Sequence, residues 1–405
     1  MFFILNVLFD SFIFQNCLIA YIPKLNYIDE SFTIMLIILS LFYILNRNNH
    51  IALYSSEVKT AALFFILLFV GAIGNLLHHI QPEKIAIYKD VLAISKFVVC
   101  YICTLIVTNN IDKDLLLKKV AKRSRIYLNI IFVFLIINII HDIGMSMDVR
   151  YGIRSYKFLY QHPTYLVSSV VILLCVILSG SRKKFDNFII FEAIVILIFS
   201  LRNKAFVFVL GYIFMKIVMK YAKSIKIRYI LILAVIGIFA TYNKIMEYAS
   251  YYLTAARPAL FIVGYMLARR YFPFGSGFGT FASEISGQYY SPIYYEYGIN
   301  VVTGLEETAH SYIGDTFWPY VYGQFGFLGL VIFLLIILNI FKSLQSRYHH
   351  DKNTQSAAFL ILLYILIAST AEAIFTDVTG CFSFAVIAGY LGNNIIAHNS
   401  QKICK

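Results

Sequence analysis

Apolar runs without a single charge recur along nearly the whole chain, and they restrict its fold more than any other feature. Thr60-Ala-Ala-Leu-Phe-Phe-Ile-Leu-Leu-Phe-Val-Gly-Ala-Ile-Gly74 and Gly329-Leu-Val-Ile-Phe-Leu-Leu-Ile-Ile-Leu338 are hydrophobic around the full helix circumference. That is the pattern of a helix met on every side by lipid or by other helices, and about twenty such residues cross the hydrocarbon of a bilayer. With 60% of 405 residues hydrophobic and only 14% charged, a soluble domain is excluded. The expected class is all-α: a polytopic helical membrane protein forming one integral domain over 1–405. About twelve apolar segments are readable, near 2–22, 31–46, 60–79, 88–107, 126–141, 164–180, 188–201, 204–219, 229–241, 317–341, 356–373 and 381–397. The first opens Met1-Phe-Phe-Ile-Leu-Asn without a basic leader or a small-residue cleavage site, so it reads as a retained span.

The formal charge of +13 does not point to nucleic acid, because the basic residues form short clusters between apolar segments. These are Lys113 to Arg125, Arg182 to Lys184, Lys216 to Arg228, Lys342 to Lys352, and Lys402 with Lys405. With twelve spans all five fall on one side together with both termini. Lys/Arg bias makes that side cytoplasmic. Six cysteines are scattered through apolar runs. Cys100 and Cys103 are spaced as a redox pair but sit inside Phe97-Val-Val-Cys-Tyr-Ile-Cys-Thr104, and small apolar filler is the better reading.

One polar excursion breaks the rhythm, a loop over 242–316 between the ninth and tenth spans. On this topology it lies outside the cytoplasm, away from ATP and nucleotide sugars. Within it, Ala255 to Tyr271 is apolar with arginines near both ends, and predicts an interfacial or re-entrant helix. The tract Gly287-Gln-Tyr-Tyr-Ser-Pro-Ile-Tyr-Tyr-Glu-Tyr-Gly298 suits either a membrane interface or stacking on sugars. Gly275, Gly277 and Gly279 follow no strand and lie on the side without nucleotides, so a dinucleotide site is excluded. A tight turn that brings backbone close to the bilayer or a head group fits them better.

Outward-facing arginines stand out because positive-inside bias depletes them there. Arg150 and Arg154 lie in the loop 142–163, Arg202 in the turn between two spans, and Arg257 at the start of the apolar loop helix. A guanidinium presents forked donors that match phosphate oxygens and remains protonated. At an effective dielectric near 20, one such contact at ~4 Å is worth about 4 kcal/mol of Coulomb energy before desolvation. The competing reading is an interfacial arginine paired to lipid phosphate or to a local carboxylate; Arg269 and Arg270 fit that anchor role. His310, after Glu306 and Glu307, is the candidate general base. A histidine is mostly neutral at pH 7, and a positioned base gives roughly 10²- to 10⁴-fold. His162, before Pro163, is the second candidate. No carboxylate/His cluster reads as a metal site.

Taken in order, these pieces resemble the O-antigen polymerase/ligase superfamily. Arg257-Pro-Ala-Leu, leading into Tyr271-Phe-Pro-Phe-Gly-Ser-Gly-Phe-Gly-Thr-Phe281, is similar to that family's arginine helix and glycine turn. Ala309-His310-Ser-Tyr312, followed by Val321-Tyr-Gly-Gln-Phe-Gly326-Phe-Leu-Gly329-Leu, is similar to its histidine signature entering the next span. Ser200-Leu-Arg202 resembles its arginine at an outer turn. The chain departs from the pattern at Ser311, where Asn is frequent, and at Asn203 and Lys204, where small residues are common. The resemblance implies transfer of a glycan from an undecaprenyl-pyrophosphate donor to an acceptor hydroxyl, outside the cytoplasm of a bacterium. It implies no metal or nucleotide cofactor. His310 would activate the acceptor, with Arg257, Arg202, Arg154 and Arg150 on the pyrophosphate and Tyr312 and the glycines in the substrate loop. The implied partners are the lipid-linked oligosaccharide, membrane lipid, a chain-length regulator and a flippase.

Two rivals remain open. A ligase that joins finished polymer to a lipid core shares the same arginine–histidine logic and differs in its acceptor. A flippase or secondary transporter would carry charge near the bilayer midplane, where Lys96 is the best candidate, but no two-half repeat is visible.

Overall fold

A computed structural model describes residues 2–46, 51–109, 111–180, 183–221, 229, 246–247 and 250–391. It is mostly helical, 72% helix against 3% strand, which places the chain in the all-α class. The first half carries α1 (Phe2–Leu18), α2 (Ile28–Leu45, after a 3-10 turn at Pro23–Tyr27), α3 (Ser55–His78), α4 (Lys84–Val107) and α5 (Lys113–Ile140). Next come α6 (Pro163–Ser179), α7 (Asp186–Phe199) and α8 (Asn203–Tyr221). The polar excursion holds α9 (Ala256–Arg270) and two single-turn helices, α10 (Glu284–Gln288) and α11 (Pro292–Glu296). The chain then continues through α12 (Phe317–Arg347), α13 (Lys352–Ala368) and α14 (Val378–Ala385), which runs into a π-helical turn at Val386–Tyr390.

Among the described residues five helices are long and apolar enough to cross a membrane: Pro23–Leu45, Ser55–His78, Lys84–Val107, Lys113–Ile140 and Phe317–Arg347. Shorter apolar helices stand at Phe2–Leu18, Pro163–Ser179, Lys352–Ala368 and Val378–Tyr390. Every apolar segment predicted from sequence coincides with a helix except the one near 229–241, of which only Tyr229 is among the described residues; the end of 381–397 also lies outside them. Arg182, Lys223, Lys226, Arg228, Lys402 and Lys405 of the basic clusters also lie outside them. Helix α6 is buried on nearly every side, from Leu166 to Ser179. By contrast α3 turns Phe65, Phe69, Leu76 and Leu77 outward, as a lipid-facing helix does.

The loop 142–163 holds the short strands that accompany the helices. It folds into an antiparallel hairpin of β1 (Ser146–Arg150) and β2 (Ile153–Tyr156), with Arg150 opposite Ile153. Tyr151 and Gly152 both have positive φ, 54° and 77°, which a two-residue primed hairpin turn requires.

Helix α9 is the short loop helix that the sequence predicts. Fifteen residues span about 22 Å, less than the ~30 Å hydrocarbon, and its buried face of Leu260, Val263, Gly264 and Leu267 packs against α12. Between them lies the glycine turn. Gly275, Gly277 and Gly279 all take positive φ (77°, 91° and 72°), and the turn is pinned by backbone bonds from Ser276 N to Gly323 O and Gly277 N to Gln324 O. Asn75 of α3 brackets it, accepting from Phe278 N (2.8 Å) and donating to Phe278 O (3.0 Å). Opposite the turn α12 is broken at Gly326, φ 66° and ψ −170°. A Cβ there would meet Pro273 O at 2.2 Å, and one on Gly275 would meet Gly326 N at 2.3 Å. The glycines therefore allow backbone to pack on backbone between α3 and α12.

Candidate functional site

The ends of α1, α2, α4, α6, α8, α9 and α13, the β-hairpin, the segment 370–379 and the segments around α10 and His310 line one open cavity of about 2320 Å³. Five of the residues singled out in the sequence as anion-binding arginines or candidate bases line it: Arg150, His162, Arg202, Arg257 and His310; Tyr312 joins them. Arg154 is not on its wall. Its guanidinium reaches Asp142 (2.9 Å) and the carbonyls of Asn138 and Ile139, and so caps the C-terminal end of α5, where orphan carbonyls favour a cation. Gly275, Gly277 and Gly279 are likewise off the wall, in the turn between α3 and α12. The tyrosines of 287–298 pack chiefly among themselves, Tyr290 on Tyr294 at 5.1 Å and Tyr294 on Phe281 at 5.8 Å, and only Gln288 of that tract reaches the cavity.

Arg202 follows Leu201, whose φ of 52° is in the left-handed region. A branched side chain adopts that conformation at a cost of roughly 1–3 kcal/mol, held by its surroundings. The turn sinks Arg202 to 7% exposure. Its Nη2 donates to Asp148 Oδ1 (2.9 Å), while Nε is buried and meets no acceptor among the described residues. Arg150 shares the same carboxylate, Nε to Oδ2 at 2.7 Å. Burial works to raise the Asp148 carboxyl, but Ser155, Arg150 and Arg202 together hold it below the usual range. Two guanidinium groups on one carboxylate leave an excess positive charge and unfilled donors, which is the local chemistry of an anion site.

Arg257 stands in the first turn of α9, where the helix dipole disfavours a cation by roughly 0.3–1 kcal/mol. Its position is not explained by helix stability. Its Nη2 pairs with Asp315 (3.2 Å). Burial raises the Asp315 carboxyl despite that arginine. Lys204 pairs with Glu372 at 2.6 Å, and burial pushes the nearby Asp377 carboxyl up to about 7. These acidic partners were not identified from sequence, because each lies tens of residues or more from its cation.

His310 ends a tight turn closed by Ala309 N to Glu306 O (3.2 Å). Its Nδ1 lies 3.0 Å from Glu307 O. A carbonyl only accepts, so Nδ1 carries a proton, and in the neutral ring Nε2 then keeps its lone pair, the tautomer of a general base. The ring lies over Gly287, where a Cβ would come within 3.0 Å of Cδ2. His162 also lines the cavity but is set the opposite way. Its Nδ1 accepts from Thr164 N (3.1 Å), leaving the proton on Nε2. Burial, with Arg202 and Lys204 nearby, lowers its pKa to about 4.

Among the described residues no group of three or more His, Cys, Asp or Glu side chains is disposed to hold a metal ion. No protein-family model and no curated protein matches the chain.

Proposed function

We propose that this chain is a membrane-embedded glycan polymerase acting at the outer face of a bacterial cytoplasmic membrane. It transfers a glycan from an undecaprenyl-pyrophosphate donor to a hydroxyl of an acceptor repeat unit, in the manner of the O-antigen polymerase group. On this reading the chain crosses the membrane about twelve times, with its basic clusters and both ends in the cytoplasm. The observation that carries the reading is the convergence on one cavity of Arg150, Arg202, Arg257 and His310, which are spread over 160 positions of sequence.

The chemistry follows from the groups available. His310 Nε2 takes the proton of the acceptor hydroxyl as its oxygen attacks the anomeric carbon, and the bond from that carbon to the pyrophosphate oxygen breaks. Direct displacement inverts the anomeric centre. The arginines meet the charge that grows on the departing pyrophosphate, where fixed donors are worth most because they need not reorganise. The energy comes from the donor itself, so no nucleotide is needed at the site.

Deletion of the protein followed by glycan electrophoresis tests the reaction class. A single-repeat product is expected; full-length polymer stranded on the lipid carrier would instead mark a ligase. His310→Ala should insert normally and lose the polymer ladder, as removal of a general base of roughly 10²–10⁴-fold effect requires. A normal ladder would remove His310 from the mechanism.

A further inference from the structure

The loop hairpin reverses the usual polarity of a strand. Along β1, Asp148, which bonds Arg202, and Arg150, which lines the cavity, are half-buried. Val149 between them is 68% exposed, and Tyr151 at the tip 82%. A one-sided strand of a soluble protein buries its apolar positions and turns the polar ones to water. Polar inside and apolar outside is the alternation of a strand set between a polar lumen and lipid.

The depth of the hairpin follows from its attachment. Asn138, in the last turn of α5, donates to Ser146 Oγ (2.8 Å) and accepts from Ile143 N and Met145 N (3.3 Å each). Arg154, opposite Val149, turns back to the Asn138 and Ile139 carbonyls. The hairpin is therefore fixed on the end of a helix long and apolar enough to cross a membrane. On the proposed topology Arg125 ends the cytoplasmic basic cluster of that helix. The uncharged stretch Ile126–Ile140 that follows spans about 22 Å, about 8 Å short of the ~30 Å hydrocarbon. Apolar surface has to continue past Ile140 to cover the difference. Ile140 and Ile143, 81% and 39% exposed, lead from α5 toward the exposed Val149 and Tyr151. Both carboxylates of the loop, Asp142 and Asp148, are paired with arginines, so neither meets head-group phosphate as a bare anion. A tyrosine at the tip suits the membrane–water boundary.

We infer that the hairpin docks on phospholipid, with Val149 and Tyr151 in the boundary between head groups and acyl chains of the leaflet beside the cavity. Arg150 and Arg202 then stand at head-group depth. Tyr151 lines the cavity as well as being exposed, so the docked tip is the rim over which a lipid-borne anion reaches the arginines. The inference rests on the membrane placement in the proposed function and not on its chemistry.

The test uses the full chain in phosphatidylcholine nanodiscs, with or without bromine on the acyl chains near their carbonyl ends. Trp318 is the sole tryptophan, so the unaltered protein supplies the baseline for Val149→Trp. An indole immersed ~5–10 Å into the boundary should lose about half of the added emission in the brominated discs. Tyr151→Trp carries the same expectation at a second exposed site and keeps the test open should the first variant fail to fold. Added emission that is red-shifted as in water and unquenched overturns the docking. So does emission that is blue-shifted yet unquenched, which would mean that protein, a second copy or another partner, covers the face. Quenching in discs where lipid-linked repeat units are not polymerised would leave the hairpin docked and count against the proposed chemistry alone.

Discussion

At the scale of single residues, His310 and His162 differ by which nitrogen is committed to the backbone. Nδ1 of the first donates a hydrogen bond to Glu307 O, and Nδ1 of the second accepts one from Thr164 N. One ring is left as a base and the other as a donor. The depressed pKa of His162, about 4, also has a consequence for stability. Between pH 4 and the ordinary histidine value near 6.5, the unfolded chain binds more protons than the folded one, so stability falls as pH drops through that window. His162→Asn keeps an N-cap acceptor and cannot titrate. Its unfolding midpoint in detergent should decline less than that of the unaltered protein between pH 6.5 and 4; parallel declines would show that His162 does not contribute. For Arg257 the informative change is to lysine, which keeps the charge facing Asp315 but loses the planar fork. Polymer formation should drop by about 10- to 100-fold, the worth of one bidentate charge-assisted contact. Full activity would reduce Arg257 to a point charge.

At the scale of elements, the arginines depend on turns that local sequence describes poorly. Apolar helices were legible because a run such as Thr60 to Gly74 leaves no polar face. The hairpin at Ser146–Tyr156 was not, since its strands are five and four residues long and only Tyr151-Gly152 marks the reversal. That hairpin sets Asp148 between Arg150 and Arg202. The glycine turn was read correctly as tight, but its partner is the α3–α12 interface and not a head group. Gly326→Ala tests this: at φ 66° and 2.2 Å from Pro273 O, a methyl group should cost at least about 1–3 kcal/mol. The unfolding midpoint of the purified protein should fall, and an unchanged midpoint would show that the kink can relax without loss.

For the molecule as a whole, the candidate site is only partly visible in the chain's order. Arg150, Arg202 and Arg257 could be flagged because the positive-inside expectation depletes arginine from the side predicted to face outward, and His310 because a histidine can act as a base near neutral pH. Arg154 passed the same filter yet caps α5, because sequence does not distinguish an arginine that meets a ligand from one that meets helix carbonyls. The acidic partners were illegible for a different reason. Asp148 lies 54 positions from Arg202, Asp315 58 from Arg257, and Glu372 168 from Lys204; such pairs exist only once the helices have packed. Lys96 stood out as a charge within an apolar segment, but its bonds to Asp29 and Glu30 turn an isolated charge into a scaffold for carboxylates.

The proposed function requires that the cavity joining the arginines to His310 make glycosidic bonds. The direct measurement reconstitutes the purified protein in liposomes with undecaprenyl-pyrophosphate-linked repeat units and resolves the product by length. The unaltered protein should yield chains of several repeats and His310→Ala only the starting single repeat. Single repeats from both proteins, or equal polymer from both, would contradict it.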